Sequence, residues 1–493
     1  MYDEVDYSAG VIPMEITDYE PKLVWKHFNE IRQIPHGSKN ETKIREYIKS
    51  FAQKNGCKTT IDQAGNLVVH VAATAGMEKK PMVILQGHMD MVCEKNSDTK
   101  HDWDNDALKL KINGEYLNAV GTTLGADNGI GLCAALALIE DKTAKHGPLE
   151  MLFTVDEETG LTGAFALKDD LLTGRTLINL DTEEWGAIYV GCAGGAETKI
   201  TMPLETEAIP KNYGPVKLKL TGLHGGHSGV DIHLQRANAI KCLARTIWAA
   251  NRLMELRLVS IMGGNKHNAI PREAEAVVVV KKSDKARLKD IVKKQEVAMK
   301  GEFVKVDPEL KITVEDSDVK DMLAVPKSIA VIALLNALPH GVLVKSYDIP
   351  DLIETSVNLA IVNTEGGKLE VTMSSRSSVG SSLEATRNLL AAISELAGAK
   401  VDEPPGYPGW KPNLDSNVLK LAQKKHKDLF NKEPGIKAIH AGLETGIIGE
   451  KFMGMDMISI GPQIEFPHSP DERVKIDTVD HFYKFLKAIL QSI

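Results

Sequence analysis

Aromatic residues make up only 5% of this 493-residue chain, and no Lys/Arg-rich stretch interleaves with them. Without stacking platforms or a cationic track, a nucleic-acid partner is not expected. The net charge of −8 points the same way. Cysteine is scarce too. Cys57, Cys93, Cys133, Cys192 and Cys242 are scattered, odd in number and never spaced C-x-x-C, which argues against a disulfide framework or a thiolate zinc site and suits a reducing cytoplasm. Long apolar runs are missing. The longest, near Ile130 to Ile139 and Ile329 to Leu338, fall well short of the ~20 residues a bilayer needs. The start, Met1-Tyr2-Asp3-Glu4-Val5-Asp6, is acidic rather than basic and then apolar, so neither a membrane partner nor a secretion leader is expected.

What is present is a series of short apolar runs, each stopping at a histidine or an acid. Met82-Val83-Ile84-Leu85-Gln86 leads into Gly87-His88-Met89-Asp90, Glu150 to Val155 into Asp156-Glu157-Glu158, and Thr176 to Leu180 into Asp181. Such runs read as buried parallel strands that deliver side chains at their carboxyl edge, where open α/β sheets place their sites. The chain is too long for one ordinary core. Helical spacing over Leu23 to Ile34, a capping box at Ser38-Lys39-Asn40-Glu41 opening a second helix, and a buried helix over Gly129 to Glu140 alternate with these strands. That alternation predicts a doubly wound α/β domain.

From about Ala193 the pattern becomes α+β. Strands are expected near 216–220, 256–261, 276–280, 342–346, 357–362 and 369–373, with helices near 234–248, 286–298, 329–338 and 383–396 between them. The recurrence hints at a doubled unit. Glu403-Pro404-Pro405-Gly406-Tyr407-Pro408-Gly409 reads as a stiff linker, after which the first domain resumes. The expected division is residues 1–193 with 402–493, interrupted by an inserted α+β domain over 194–401.

In Gly87-His88-Met89-Asp90, a spacing of two on an extended strand puts His88 and Asp90 on one face, so that His88 could bind metal while Asp90 orients its ring; an exposed strand-end histidine is the plainer reading. Gly121-Thr122-Thr123-Leu124-Gly125-Ala126-Asp127-Asn128-Gly129 enters a helix. It lacks the lysine of a phosphate loop, and Asp127 either caps the helix or bridges cations. Glu157 and Glu158 could divide proton transfer and metal ligation, or form a solvated acidic turn with Asp156. Asp181 could end its strand in a polar turn, and His468, between Pro467 and Ser469-Pro470, could be a surface loop residue. Taken as an ordered set, these imidazoles and carboxylates form a shell suited to zinc or cobalt.

On Gln86-Gly87-His88-Met89-Asp90-Met91-Val92, Thr123 to Gly129, Asp156-Glu157-Glu158-Thr159-Gly160, Gly222-Leu223-His224-Gly225-Gly226-His227-Ser228-Gly229 and His440-Ala441-Gly442-Leu443-Glu444, the chain resembles the M20 family of metallopeptidases. Within it, the dipeptidases that accept aminoacyl-histidine substrates are the nearest branch. The resemblance runs from Trp25 to His468. It implies a di-zinc catalytic domain with a lid inserted in it, and two divalent ions, zinc first, with cobalt or manganese as alternatives. One ion would be held by His88 and Asp181 and the other by Glu158 and His468, with Asp127 bridging. It also implies a cis bond after Asp127, Asp90 orienting His88, Glu157 as general base and His227 as oxyanion donor. Asn268, Arg376 and Gly442 would contact the substrate, and a homodimer would form through the lid. Glu183 and Glu184 are candidates for the substrate amine. His224 paired with His227 as a separate metal site is disfavoured, because Gly225-Gly226 makes a loose frame.

The expected function is hydrolysis of unblocked dipeptides, Xaa-His among them and β-alanyl-histidine as a further candidate. An amino-acid deacylase or a tripeptidase is the alternative within the superfamily. A non-catalytic binding protein is the alternative of another class, and it would have no need of Glu157.

Overall fold

The computed structural model describes residues 15–493; the acidic start of the chain lies outside them. It divides into two compact units. One comprises the residues up to Val190 with Asn413–Lys437 and Ile447–Ile493, the other Gly191–Pro412 with Ala438–Gly446.

In the first unit an eight-stranded sheet runs in the order Lys58–Ile61, Leu67–Val71, Leu149–Thr154, Val83–His88, Thr176–Asn179, Asp456–Ser459, Ala187–Cys192, Gly435–Ile439. Its centre is parallel: Val83 pairs with both Leu149 and Thr176, and Ile178 with Ile458. The strands on either side of this parallel centre are antiparallel. Leu149–Thr154 and Val83–His88 are buried at every position, which is why they read as continuous apolar runs rather than alternating ones. Helix Ala126–Glu140 lies against Val83–His88 and is buried on nearly all sides, as a helix without a polar face must be.

Two local readings are corrected. The second helix begins at Thr42 with no side-chain cap. Instead of closing a capping box, Ser38 Oγ donates to Asp90 Oδ2 at 2.8 Å, and Glu41 Oε1 accepts from Lys39 N and Asp156 N at 2.8 and 2.9 Å. A stronger demand from the buried strand-end loops takes both residues. Glu403 to Gly409, expected to be a stiff linker, is instead held by pairing. Tyr407 exchanges backbone hydrogen bonds with Gly195, and Trp410 with Cys192, all at 2.9 to 3.0 Å, so the segment is docked within the second unit.

The second unit holds a sheet in the order Lys311–Asp316, Tyr213–Thr221, Ala274–Lys281, Leu256–Gly263, Ile353–Asn363, Lys368–Ser377, Gly194–Pro203, Lys400–Asp402. A ninth strand, Gly341–Lys345, pairs with Ile353–Asn363 off this path; with it set aside, numbering along the chain within each half gives 4-1-3-2 and then 2-3-1-4, so two β-α-β-β-α-β units meet edge to edge. Gly263 opposite Val362 is the register contact that joins the halves. The strand alternation of Tyr213–Thr221, buried at every second residue, matches a sheet with one face on a core and one toward water.

Candidate active site

Three apolar strands of the first unit end side by side, and each hands over to a ligand-type residue. His88 is the last residue of its strand, Asp181 follows Asn179 by two, and Asp156 turns the chain after Thr154 with φ of 51°. That left-handed turn starts the four-residue helix Glu157–Gly160. Glu157 and Glu158 therefore share a helical first turn, and their amides donate to the two oxygens of Asp90 at 3.0 and 3.2 Å.

Asp127 stands at the centre. Its Oδ1 lies 3.2 Å from His88 Nε2, which is 3.4 Å from Asp181 Oδ1; its Oδ2 lies 3.2 Å from His468 Nε2, which is 3.1 Å from Glu158 Oε2. His88, Asp127 and Asp181 thus form one group whose ligand atoms lie within 4.8 Å of one another, and Asp127, Glu158 and His468 a second, with His88, Glu157 and Glu158 a third. The Asp127-Asn128 peptide is cis, and Asn128 Nδ2 donates to Leu180 O at 2.7 Å.

Asp90 faces the His88 ring through two groups. Nδ1 lies 2.9 Å from the backbone carbonyl of Asp90 and 3.4 Å from its carboxylate. A ring that donates Nδ1–H to a carbonyl keeps the Nε2 lone pair for a cation. Burial opposes charge on Asp90, but the His88 ring, the Glu157 amide and the Ser38 hydroxyl outweigh it and hold the carboxyl at about 2.

Charge in the group is unbalanced. Burial, with the neighbouring carboxylates, pushes Asp181 up to about 7 and Glu183 to about 9. Hydrogen bonds to Asp127 and Glu158 raise His468 to about 11. Two imidazoles cannot neutralise four crowded carboxylates, whereas divalent cations would. Glu158 Oε1 and Asp181 Oδ1 are buried without a hydrogen-bond donor, as oxygens intended for a cation are. The donor set, two imidazole nitrogens and hard oxygens with no thiolate, fits zinc or cobalt. Glu184 has other partners, Lys437 and Tyr189.

The second unit gathers the remaining predicted residues. His227 Nδ1 accepts the amides of Gly229 and Val230 at 3.2 and 3.0 Å, which places the ring proton on Nε2. Burial and the charge of Arg376 lower its pKa, so the ring is a neutral donor. Ser228 N donates to Asn268 O at 2.8 Å. Arg376 is 7% exposed, donates Nη1–H to Tyr407 OH at 2.9 Å, and keeps a buried Nε–H without an acceptor. A side chain at Gly229 would meet Arg376 Nε and His227 Cε1, both at 3.1 Å, and one at Gly442 would strike Tyr407 at 2.8 Å. His224 pairs with Asp307 at 3.0 Å.

Residues 84–492 match the family described as Peptidase family M20/M25/M40. The chain is 41% identical over 480 residues, 97% of its own length and 99% of the relative's, to the cytosol non-specific dipeptidase of Escherichia coli K12. Among solved structures it is similar to the aminoacylhistidine dipeptidase of Vibrio alginolyticus, with 41% identity, a TM-score of 0.92 and coverage of 97% and 98% of the two chains. A tripeptidase from Staphylococcus aureus, 17% identical with a TM-score of 0.55 and coverage of 96% and 98%, shares the fold.

Proposed function

The chain belongs to peptidase family M20/M25/M40, and from that premise we propose that it is a two-metal dipeptidase acting on unblocked dipeptides, Xaa-His and β-alanyl-histidine among them. It is a metal-dependent hydrolase of the family, and the relatives it matches over nearly their whole length are named dipeptidases. The observation that carries the two-metal reading is the shared carboxylate, Asp127, one oxygen beside His88 and Asp181 and the other beside His468 and Glu158.

His88 and Asp181 would hold one ion, Glu158 and His468 the other, and Asp127 both. Bound zinc, or cobalt or manganese in its place, would supply the positive charge that acidifies an attacking water and polarises the scissile carbonyl. Glu157, in the same turn as Glu158 but outside both Asp127 groups, takes the proton of the attacking water and returns it to the leaving amine. The Nε2–H of His227 serves the oxyanion. Arg376 reads the substrate's terminal carboxylate, a role its bidentate fork and buried, acceptor-free Nε–H support. Asn268 and Gly442 contact the substrate backbone. A cytoplasmic location and a homodimer through the second unit complete the reading; sedimentation of the purified chain tests the latter.

Free, N-acylated and C-amidated di- and tripeptides, assayed with and without chelator, test the whole. Hydrolysis of free dipeptides should vanish with chelator and return with zinc or cobalt. Arg376→Met should lower kcat/KM for a free dipeptide by about 2 to 4 kcal/mol while hardly changing the slow rate on its amide. Preference for acylated amino acids or tripeptides would replace the reading by a deacylase or a tripeptidase.

A further inference from the structure

Glu472 has no motif around it, yet it is 2% exposed and its carboxylate receives four successive backbone amides. Oε2 accepts from Leu124 N and Gly125 N at 2.7 and 3.0 Å, and Oε1 from Ala126 N and Asp127 N at 2.8 and 3.3 Å. Amides at a helix start have no partner within the helix. Here the cap residue is Gly125, which has no side chain to offer them, and the backbone leaves the helical conformation, with φ of 68° at Gly125 and ψ of 112° at Asp127.

Glu472 also stands at the foot of a hairpin. Ile464 and Glu465 pair with Val474 and Arg473, and the loop between them carries His468, whose Nε2 is 3.2 Å from Asp127 Oδ2. Arg473 and Val474 in turn pair with Asn118 and Leu117, the strand that leads into the glycine loop. One hairpin therefore grips the backbone of Asp127 through Glu472 and meets its side chain through His468.

Resting on the metal-centre reading above, we propose that Glu472 is a positioning residue: it fixes the backbone of Leu124 to Asp127, so that the shared ligand Asp127 and the ligand His468 are set in register by one element. It touches neither substrate nor reacting atoms. Only a carboxylate offers acceptors to all four amides, since glutamine would turn an NH2 toward two of them.

The test is metal binding by the full-length chain. Metal-stripped wild type, Glu472→Gln and Glu472→Asp are titrated with Co2+ and with Zn2+ against a chromophoric chelator, and the Co2+ absorption spectrum and the rise in Tm on adding metal are recorded. We expect two ions in wild type, at least one of them bound about 10- to 100-fold more weakly in Glu472→Gln, an altered Co2+ spectrum and a smaller metal-induced rise in Tm. Glu472→Asp, which keeps the charge but draws it back by one methylene, should show the same loss at smaller size, and it is the variant read if Glu472→Gln does not fold. A purely structural role would lower Tm equally with and without metal and leave affinity and spectrum unchanged, which would overturn the proposal alone. A wild type that binds no divalent ion would overturn the metal-centre reading with it.

Discussion

Glu157 and Glu158 are neighbours in one turn, and both amides rest on Asp90, yet their carboxylates meet different company. Glu158 Oε2 lies 3.1 Å from His468 and joins the group around Asp127, whereas Glu157 groups with His88 and Glu158. Glu157→Ala should therefore keep both ions while kcat falls by roughly 10² or more, and Glu158→Ala should lose metal as well as activity. Metal content by elemental analysis beside kcat checks this, and equal metal loss in both variants would refute the division. Residues of this kind were legible because each has a chemical type and a place in an ordered set of motifs. Ser38, Glu41 and Glu472 were not. Nothing in Ser469-Pro470-Asp471-Glu472-Arg473 marks Glu472 as buried, since its partners lie about 345 positions away in sequence.

Helix Ala126–Glu140 and the strands beside it meet closely enough for glycine to matter. A Cβ at Gly131 would lie 2.4 Å from Leu180 O and 2.8 Å from Asn128 Nδ2, the two atoms' own bond being 2.7 Å. Gly131→Ala should force helix and strand end apart, cost on the order of 1 to 3 kcal/mol and weaken metal binding through the displaced Asn128 and Asp181. Gly301→Ala, in helix Lys285–Glu302 with nothing within 4 Å, should be neutral or stabilise by up to about 1 kcal/mol. Urea midpoints of the two variants decide it, and equal effects would count against the close-approach argument. Continuous apolar runs here, and alternation in the second unit, made most elements readable to within a few residues. The capping box failed because the same Ser and Glu that could close a helix end were bound more firmly by buried loops.

At the scale of the whole molecule, the second unit should carry its own acid sensitivity. Burial, with the charges of Lys241 and Arg376 respectively, lowers His340 to about 4 and His440 to about 3, from an ordinary 6.5. As pH falls below 6.5 the unfolded chain takes up these protons first, so stability is full above that value and declines toward pH 4 and below. Charging either ring in place would cost on the order of 3 to 5 kcal/mol. In chelator, which removes the pH dependence of metal binding, Tm should fall between pH 7 and pH 4.5, and less steeply in His340→Gln than in wild type. Parallel slopes would show that His340 does not drive the decline.

Composition and periodicity by themselves determined that this chain builds a parallel-centred α/β unit interrupted by an α+β insertion, because burial on both faces or on one face leaves a local trace in residue order. Residue types determined the chemistry on offer, imidazole and carboxylate without thiolate. Tertiary structure alone decided that the two halves at which the recurrence hinted meet at Gly263 and Val362, that the carbonyl of Asp90 as well as its carboxylate faces the His88 ring, and that Glu472 closes the amides before Asp127. Each of these joins residues distant in sequence or turns on a backbone atom. A backbone carbonyl or amide is the same in every residue, so its partner becomes visible only once the chain has folded.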